Sequence, residues 1–299
     1  MVIDGKALAT NILDDLKKRV GELQNPSIPK GTTSDEGCIT PHLMVILVGN
    51  DASSTAYVRQ KELKTELINA EISVLRYGED ITENQLLLKL NELNEDPTVH
   101  GIIVQRPLPP HIDPEKITHA TNPKKDVDGF HPDSRFTPPI ALAIEKILEE
   151  IKKQSLISTS LSQWLTNKTL VVIGKGQTAG TPIINYLKKQ NIQPIVIDSK
   201  TENKDALLHN ADIIISAVGK PHILKAELLK RGVILIGVGM DRGEDERMHP
   251  DYDEDEIAKI ASFYTPVPGG VGPVNVAMLL SNLVVAASNV ASLKYHLPQ

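Results

Sequence analysis

Short, unbroken runs of valine, isoleucine and leucine recur along this chain. They alternate with segments whose apolar residues repeat at helical spacing. LMVILVG (43–49), ISVLRYG (72–78) and GIIVQ (101–105) read as strands, and the stretch from about Ser54 to Asn69 and NQLLLKLNELN (84–94) read as the helices between them. The alternation resumes with TLVVIG (169–174), PIVID (194–198), DIIISAVG (212–219) and VILIGVG (233–239), with PIINYLKKQ (182–190) among the intervening helices. Runs this short and this apolar, separated by helical sequence, predict parallel sheets built from βαβ units. The helix ALAIEKILEEIKKQ (141–154) and the polar segment after it separate the two series. At ~150 residues per domain, a chain of 299 residues agrees with that division into two.

Three other stretches stand apart from this pattern. No residue from Thr265 to Leu293 is charged, which exceeds the ~20 residues a membrane-spanning helix needs. Its first third, TPVPGGVGP, is loop chemistry, and Asn275, Ser281, Asn282, Ser288 and Asn289 interrupt the rest, so the expectation is a buried helix after a loop and no membrane span. Gln24 to His42 is polar and rich in turn formers and reads as a surface loop. The acidic stretch 241–256 reads as a solvated surface in preference to a metal site, and no metal is expected. The N-terminus carries Asp4 and has no long apolar run, so no secretion signal is visible.

Composition narrows the class. With 40% hydrophobic and 23% charged residues the chain can bury a core, and with 3% aromatics that core must be aliphatic. A net charge of -6 excludes a strongly basic nucleic-acid binder. Cys38, the sole cysteine, can form no internal disulfide and no cysteine-rich zinc site; a reducing compartment, the cytoplasm, fits it best.

Several local patterns carry candidate chemistry. Gly174, Gly176 and Gly180 follow a strand and precede a helix, where a dinucleotide fold places its phosphate turn. The spacing is G-x-G-x-x-x-G, so a simple tight βα turn remains open as a reading. Asp198 ends the next strand, where an acidic residue can bind an adenosine ribose; Lys175, Ser199 and Lys200 lie near it in this picture and could bind a 2′-phosphate instead. Tyr57 and Lys61 share one helical face, a proton-shuttle arrangement if the lysine is buried, although a solvated lysine is the plainer reading of spacing alone. Gln105 leads into a stiff proline loop at a strand's C-terminal end, the end at which α/β sheets bind ligands. Asp126 and Asp128, two apart, can both face a ligand or merely form a turn ending at Gly129.

The order of these patterns is more specific than any one of them. DGKALA (4–9), YVRQK (57–61), DPTVHGIIVQRPLP (96–109), KDVDGFHP (125–132), SAVGKP (216–221) and TPVPGGVGP (265–273) occur in one chain. Together they resemble the bifunctional methylenetetrahydrofolate dehydrogenase/methenyltetrahydrofolate cyclohydrolase family over nearly the whole length. The resemblance implies an enzyme of one-carbon metabolism, feeding purine biosynthesis. It would oxidise 5,10-methylenetetrahydrofolate with a nicotinamide cofactor and hydrolyse the methenyl product to 10-formyltetrahydrofolate. It implies Lys61 as the catalytic lysine, Tyr57 stacked on the folate, Gln105 holding the lysine's protonation state and Asp128 accepting hydrogen bonds from the pterin. Val104, Pro107, Leu108 and Pro109, with Pro268, Gly269, Gly270 and Pro273, would wall the folate pocket. Gly174, Lys175, Gly176, Thr178, Gly180, Asp198, Ser199, Lys200, Ala217, Val218, Gly219, Gly239 and Thr265 would hold the cofactor. The fold implied is α/β with two domains and a cleft between them: an N-terminal catalytic lobe, 1–140, completed by a C-terminal helix at 270–299, and a Rossmann-type lobe, 141–269. The resemblance also suggests a homodimer.

The chain departs from the family's pattern in places. Gly174-Lys175-Gly176 stands where Gly-Arg-Ser is usual, and Asp198 where a histidine is usual. Lysine keeps the charge for a 2′-phosphate but loses the bidentate fork, and an acid favours a free 2′-hydroxyl. NADP is therefore the expectation, with NAD as the alternative. Arg106 replaces a leucine, Asn275 a threonine, and Phe136 and Ile140 a cysteine and a glycine. Arg106 and Asn275 fall near the supposed folate pocket and leave open an NAD-dependent dehydrogenase with weak or no cyclohydrolase activity. A nucleotide- or folate-binding scaffold is the non-enzymatic alternative.

Overall fold

The computed structural model describes residues 1–25, 38–242 and 248–295. Residues 26–37 of the expected surface loop and 243–247 of the acidic stretch lie outside the described residues. The chain forms two compact units, one of Thr10–Pro139 with the segment from Val276 on, the other of Met1–Ala9 with Ile140–Asn275.

The first unit contains most of α1 (Gly5–Gln24), then β1 (His42–Val48), α2 (Ala52–Leu67), β2 (Glu71–Tyr77), α3 (Glu83–Glu95), β3 (Gly101–Val104) and α4 (Pro114–Ala120). The three strands form a parallel sheet in the order β2-β1-β3, with Val45 opposite both Val74 and Ile103. Leu43 through Val48 are all buried, as a central strand covered on both faces requires. Polar caps set where the helices begin. Asp51 accepts the Ser54 N–H at 2.6 Å at the start of α2, and Thr82 and Gln85 form a capping box on α3.

The second unit contains α5 (Pro139–Gln154), α6 (Leu161–Thr166), β4 (Leu170–Ile173), α7 (Gly180–Lys189), β5 (Ile195–Ile197), α8 (Lys204–His209), β6 (Ile213–Ser216), β7 (Ile234–Gly237), β8 (Met240–Arg242), β9 (Met248–Pro250), α9 (Glu254–Ala258) and β10 (Phe263–Tyr264). Its main sheet is parallel, in the order β10-β7-β6-β4-β5, while β8 and β9 form a separate antiparallel pair. The chain runs from β4 to β5 on one side, then returns to β6 on the other. The carboxyl end of β4 is thus a topological switch point, where open α/β sheets bind ligands. Both sheets are the α/β class expected from the sequence.

The division of the chain differs from the sequence expectation at two places. Met1–Ala9 and the residues up to Asn275 belong to the second unit, although the expected boundaries put 1–9 and 270–275 in the first. The physical reason at the N-terminus is an open sheet edge. Ile3 donates its N–H to Tyr264 O at 2.8 Å and Tyr264 N–H returns a bond to Met1 O at 3.0 Å, so the chain start pairs with the short edge strand β10.

The uncharged tail folds as α10 (Val271–Tyr295). It is long and apolar enough to cross a membrane by composition alone. Its residues Leu279, Leu280, Leu283, Val284 and Ala287 are buried in the protein, as expected for a core helix. Asn282, buried on the same helix, donates to Val127 O at 2.9 Å and Thr137 O at 3.0 Å, and so fastens the loop that carries Asp128.

Candidate active site

Helix α2 turns Ser54, Val58, Lys61 and Thr65 inward at intervals of three and four residues. Lys61 is only 6% exposed. Its Nζ donates to Gln105 Oε1 at 2.9 Å, across 44 residues of sequence, and Gln105 Nε2 donates to Arg106 O at 2.9 Å. Ser54 Oγ donates to the same carbonyl at 3.2 Å, so the segment after β3 is held to α2 at two points. Burial pushes the Lys61 pKa below its usual 10.5, and Asp128 opposes that shift. The solvated-lysine reading of the Tyr57/Lys61 spacing is therefore set aside. Tyr57 lies one turn before Lys61, half-buried, with its hydroxyl pKa raised by burial.

The two aspartates of the 122–136 loop have different surroundings. Asp126 is buried and accepts the His131 N–H at 2.8 Å, while Ser134 Oγ donates to its carbonyl at 3.0 Å. It braces the loop. Asp128 has its pKa raised by burial, against the pull of Lys61 and Arg106. Gly129, at φ +70°, closes the turn; a Cβ there would lie 2.7 Å from Phe136 O. Phe136 and Ile140, which depart from the family pattern, are both buried as core residues.

Val104, Arg106, Leu108, Asp126, Asp128 and Phe130 line one partly open pocket with residues of α4. Pro107 is exposed and Pro109 half-buried beside it. Arg106 lies 4.9 Å above the Phe130 ring and donates to Thr118 Oγ1 at 2.6 Å. Pro268, Gly269, Gly270 and Pro273 lie in the second unit. Pro268 is exposed, Gly269 and Gly270 are buried, and Pro273 is in the first turn of α10, where proline is tolerated. The departure residue Asn275 has its Oδ1 buried with no hydrogen-bond partner among the described residues.

At the switch point, the β4–α7 turn forms an anion cradle. Gly174 has φ +97°, and a Cβ on Gly180 would lie 2.2 Å from Gly174 O, so the turn and helix meet at a distance only glycine permits. The first turn of α7 has no side-chain cap. Thr181 N–H donates to Gly176 O at 3.0 Å and Pro182 has no N–H, so Gly180 is the helix residue whose N–H can meet a phosphate. Gly176 faces open space, and Lys175 and Thr178 are exposed on the same turn. At the end of β5, Asp198 is engaged on both oxygens. Lys175 Nζ approaches Oδ2 at 2.6 Å, and Lys200 N–H and Thr201 Oγ1 donate to Oδ1 at 2.9 and 3.0 Å. The lysine above all holds this carboxyl down at about 2. Ser199 is exposed, and its carbonyl accepts Lys204 Nζ at 3.2 Å.

Asp251 is a functional candidate that sequence reading missed. It lies in the acidic stretch expected to be solvated, yet it is 0% exposed, as is Tyr252. Its carboxyl accepts from Ser216 Oγ, from Val218 N–H at 3.1 Å and from Lys220 N–H at 2.9 Å. It therefore fixes the loop containing Ala217, Val218 and Gly219, three of the residues expected at the cofactor. Gly239 sits against both Gly219 and the Asp251 carboxyl. Thr265 is fully buried; Tyr252 donates to its carbonyl, and its hydroxyl oxygen accepts the Gly237 N–H at 2.8 Å. Its side chain supports the sheet end and is not open to a ligand. The solvated-surface expectation thus fails at Asp251 and Tyr252. Charge composition cannot register that one carboxyl in the run is turned toward backbone donors. Among the described residues, no group of three or more His, Cys, Asp or Glu side chains is placed to hold a metal ion.

Comparison with known proteins agrees with both halves of this arrangement. Residues 3–128 match the family model of the tetrahydrofolate dehydrogenase/cyclohydrolase catalytic domain, and residues 153–291 match that of its NAD(P)-binding domain. The bifunctional protein FolD of Nautilia profundicola is 40% identical, over 97% of this chain and 98% of that protein. The crystal structure of the FolD methylenetetrahydrofolate dehydrogenase/cyclohydrolase from Campylobacter jejuni superposes with a TM-score of 0.86 at 35% identity, covering 97% of this chain and 99% of that one. The Trypanosoma brucei enzyme, solved with NADP cofactor and an inhibitor, gives a TM-score of 0.84 at 30% identity, covering 97% of each chain. The buried Lys61–Gln105 pair, the glycine cradle at the switch point and these full-length matches lead to one conclusion: the chain belongs to the tetrahydrofolate dehydrogenase/cyclohydrolase family.

Proposed function

We propose that this protein oxidises 5,10-methylenetetrahydrofolate with NADP and hydrolyses the resulting 5,10-methenyltetrahydrofolate to 10-formyltetrahydrofolate. The observation that carries this reading is Lys61, a buried amine held by a neutral glutamine oxygen beside Asp128. A buried amine with a lowered pKa can be neutral at working pH, and only a neutral amine can take a proton. Lys61 accepts one from the water that attacks the methenyl carbon and returns one to N5 as the C–N5 bond breaks, while the water's second proton leaves to solvent as the formyl C=O forms. Gln105 orients the amine. Asp128 accepts hydrogen bonds from the pterin, a donor-rich planar ring, and Tyr57 stacks against the folate. Val104, Pro107, Leu108 and Pro109 form apolar walls of this reading.

NADP, when bound, supplies the acceptor for the hydride leaving the one-carbon unit. The residues present fit it. Gly174, Gly176, Thr178 and Gly180 cradle a pyrophosphate on the uncapped start of α7. Lys175, Ser199 and Lys200 suit a 2′-phosphate. Asp198 does not prevent this, because its oxygens are engaged within its own turn and with Lys175. The Lys175 contact is a surface ion pair, which a phosphate can displace at little cost. Ala217, Val218, Gly219 and Gly239 would line the nicotinamide side. The reading includes a cytoplasmic homodimer, for which light scattering on the purified protein is the check.

Separate assays of the two half-reactions test the proposal: NADP reduction with methylenetetrahydrofolate, and loss of methenyltetrahydrofolate absorbance. Absence of either activity overturns the corresponding half. For the cofactor, Lys175→Ala is expected to weaken NADP binding about tenfold while leaving NAD binding within about twofold, read as Kd by fluorescence titration. An unchanged ratio of the two affinities would remove Lys175 from the 2′-phosphate site.

A further inference from the structure

The turn that carries Asp128 lies outside every strand and helix, and its backbone is tied to two neighbours. On one side stands β3. Ile102 donates its N–H to Lys125 O at 2.8 Å and forms an isolated bridge with Asp126. On the other side stands α10. Asn282, 7% exposed, donates from Nδ2 to Val127 O at 2.9 Å and to Thr137 O at 3.0 Å. A primary amide has two N–H groups, enough for both carbonyls. Those carbonyls come from opposite ends of the segment 127–137, so one side chain closes that segment into a loop. Val127 is fully buried, and it fills the space over Gly101 together with Leu283 of α10. A Cβ on Gly101 would lie 2.9 Å from a methyl group of each.

We propose that Asn282 is a positioning residue for the folate: it fixes the turn that presents Asp128 and thereby sets the affinity for the pterin. The proposal rests on the reading of Asp128 as the pterin's acceptor and adds to it how that acceptor is held. Asp128 lines the pocket, whereas Asn282 does not, so Asn282 acts through the turn.

The argument is one of pre-organisation. A carboxylate that meets two donors on one edge of a flat ring must be held to within about 0.5 Å. Bonds within the segment, from the Gly129 and His131 N–H groups and from Ser134 Oγ to Asp126, give the turn its shape. They do not fix it to the body of the protein. The bonds from β3 do so at residues 125 and 126, before Asp128. Asn282 does so on both sides of Asp128, at 127 and at 137. Without the amide, the loop can rotate about its β3 end and carry the carboxylate out of the plane of the ring.

The test is the Kd for tetrahydrofolate, read by titration calorimetry under nitrogen. The proteins are the wild type, Asn282→Leu, Asp128→Asn and the double variant. Leucine keeps the branched shape of asparagine and removes both donors. Its Kd for tetrahydrofolate should rise about tenfold, with the Kd for NADP within about twofold of wild type. In turnover, KM for methylenetetrahydrofolate should rise in step while kcat stays within about threefold. The double variant should bind tetrahydrofolate within about twofold of Asp128→Asn, because a brace has nothing to hold once the carboxylate is gone. Asn282→Ala adds no volume and decides the matter if the leucine variant does not fold. A wild type that does not bind tetrahydrofolate would overturn the folate reading and this proposal with it. An unchanged Kd in Asp128→Asn would overturn the reading of Asp128, and the proposal again with it. Additive effects in the double variant, or a lowered Tm with an unchanged Kd in Asn282→Leu, would overturn the proposal alone. Asn282 would then serve stability only.

Discussion

Replacing Lys61 with methionine should abolish hydrolysis of methenyltetrahydrofolate, by about 10³-fold, and leave the protein folded. The magnitude is that of losing a positioned proton-transfer group. The second half of the expectation follows from burial. Lys61 is almost fully enclosed, and its pKa lies lower in the folded protein than the usual 10.5. The folded state therefore binds this proton less readily than the unfolded chain does. Stability associated with Lys61 is complete above pH 10.5 and is lost as pH falls from there toward the folded value. Methionine fills a similar volume and has no proton to lose. The variant's Tm should equal or exceed that of the wild type at pH 7, and the difference should shrink toward pH 10. The exchange leaves Gln105 Oε1 without its donor, which limits the gain. Normal hydrolysis by this variant would refute the role of Lys61, and a collapse of Tm at pH 7 would refute the account of its burial.

Replacing Asp251 with alanine should have the largest effect on stability. Its carboxyl receives Ser216 Oγ and the N–H groups of Val218 and Lys220 at a fully buried position. Alanine leaves all three donors unpaired, a cost of about 3–5 kcal/mol in total. Thermal denaturation should fall by about 10 °C. The loop from Ala217 to Gly219 loses its brace in the same step, so the apparent KM for NADP should rise more than the KM for the folate. Asp251→Asn keeps the shape but presents an amide in place of an oxygen to backbone N–H groups, and should recover only part of the loss. A variant as stable as the wild type would show that water replaces the carboxyl without cost.

Asp251 also marks the limit of what a pattern of charges can convey. Within DRGEDERMHPDYDEDE it looks like its neighbours. Asp253 caps α9, accepting the Glu256 N–H at 3.1 Å, and Glu254 accepts the Val267 N–H at 2.7 Å. The Asp253 cap has a local signal, an aspartate three residues before a glutamate, whereas Asp251 and Glu254 have none, because their partners come from a turn or a sheet end that exists only after folding. The same holds for the chain's first residues. They pair with β10, a two-residue strand too short to stand out in hydrophobic periodicity.

What the sequence determined by itself was the class of fold and the order of its elements. All seven strand-like runs became strands of parallel sheets; five of them, β1, β3, β4, β6 and β7, are continuously apolar because they are buried, and that is a local property, while β2 and β5 are partly exposed edges. The glycine turn after β4 was likewise legible, since close approach requires glycine whatever surrounds it. Only the tertiary structure decided which charged groups face one another. Lys61 and Gln105 are 44 residues apart, and Arg106 and Asp128 come from separate loops of one pocket. Whether a lysine is a solvated ornament or a buried amine depends on desolvation and on neighbouring charge. Both are sums over the whole fold, so no stretch of sequence contains them.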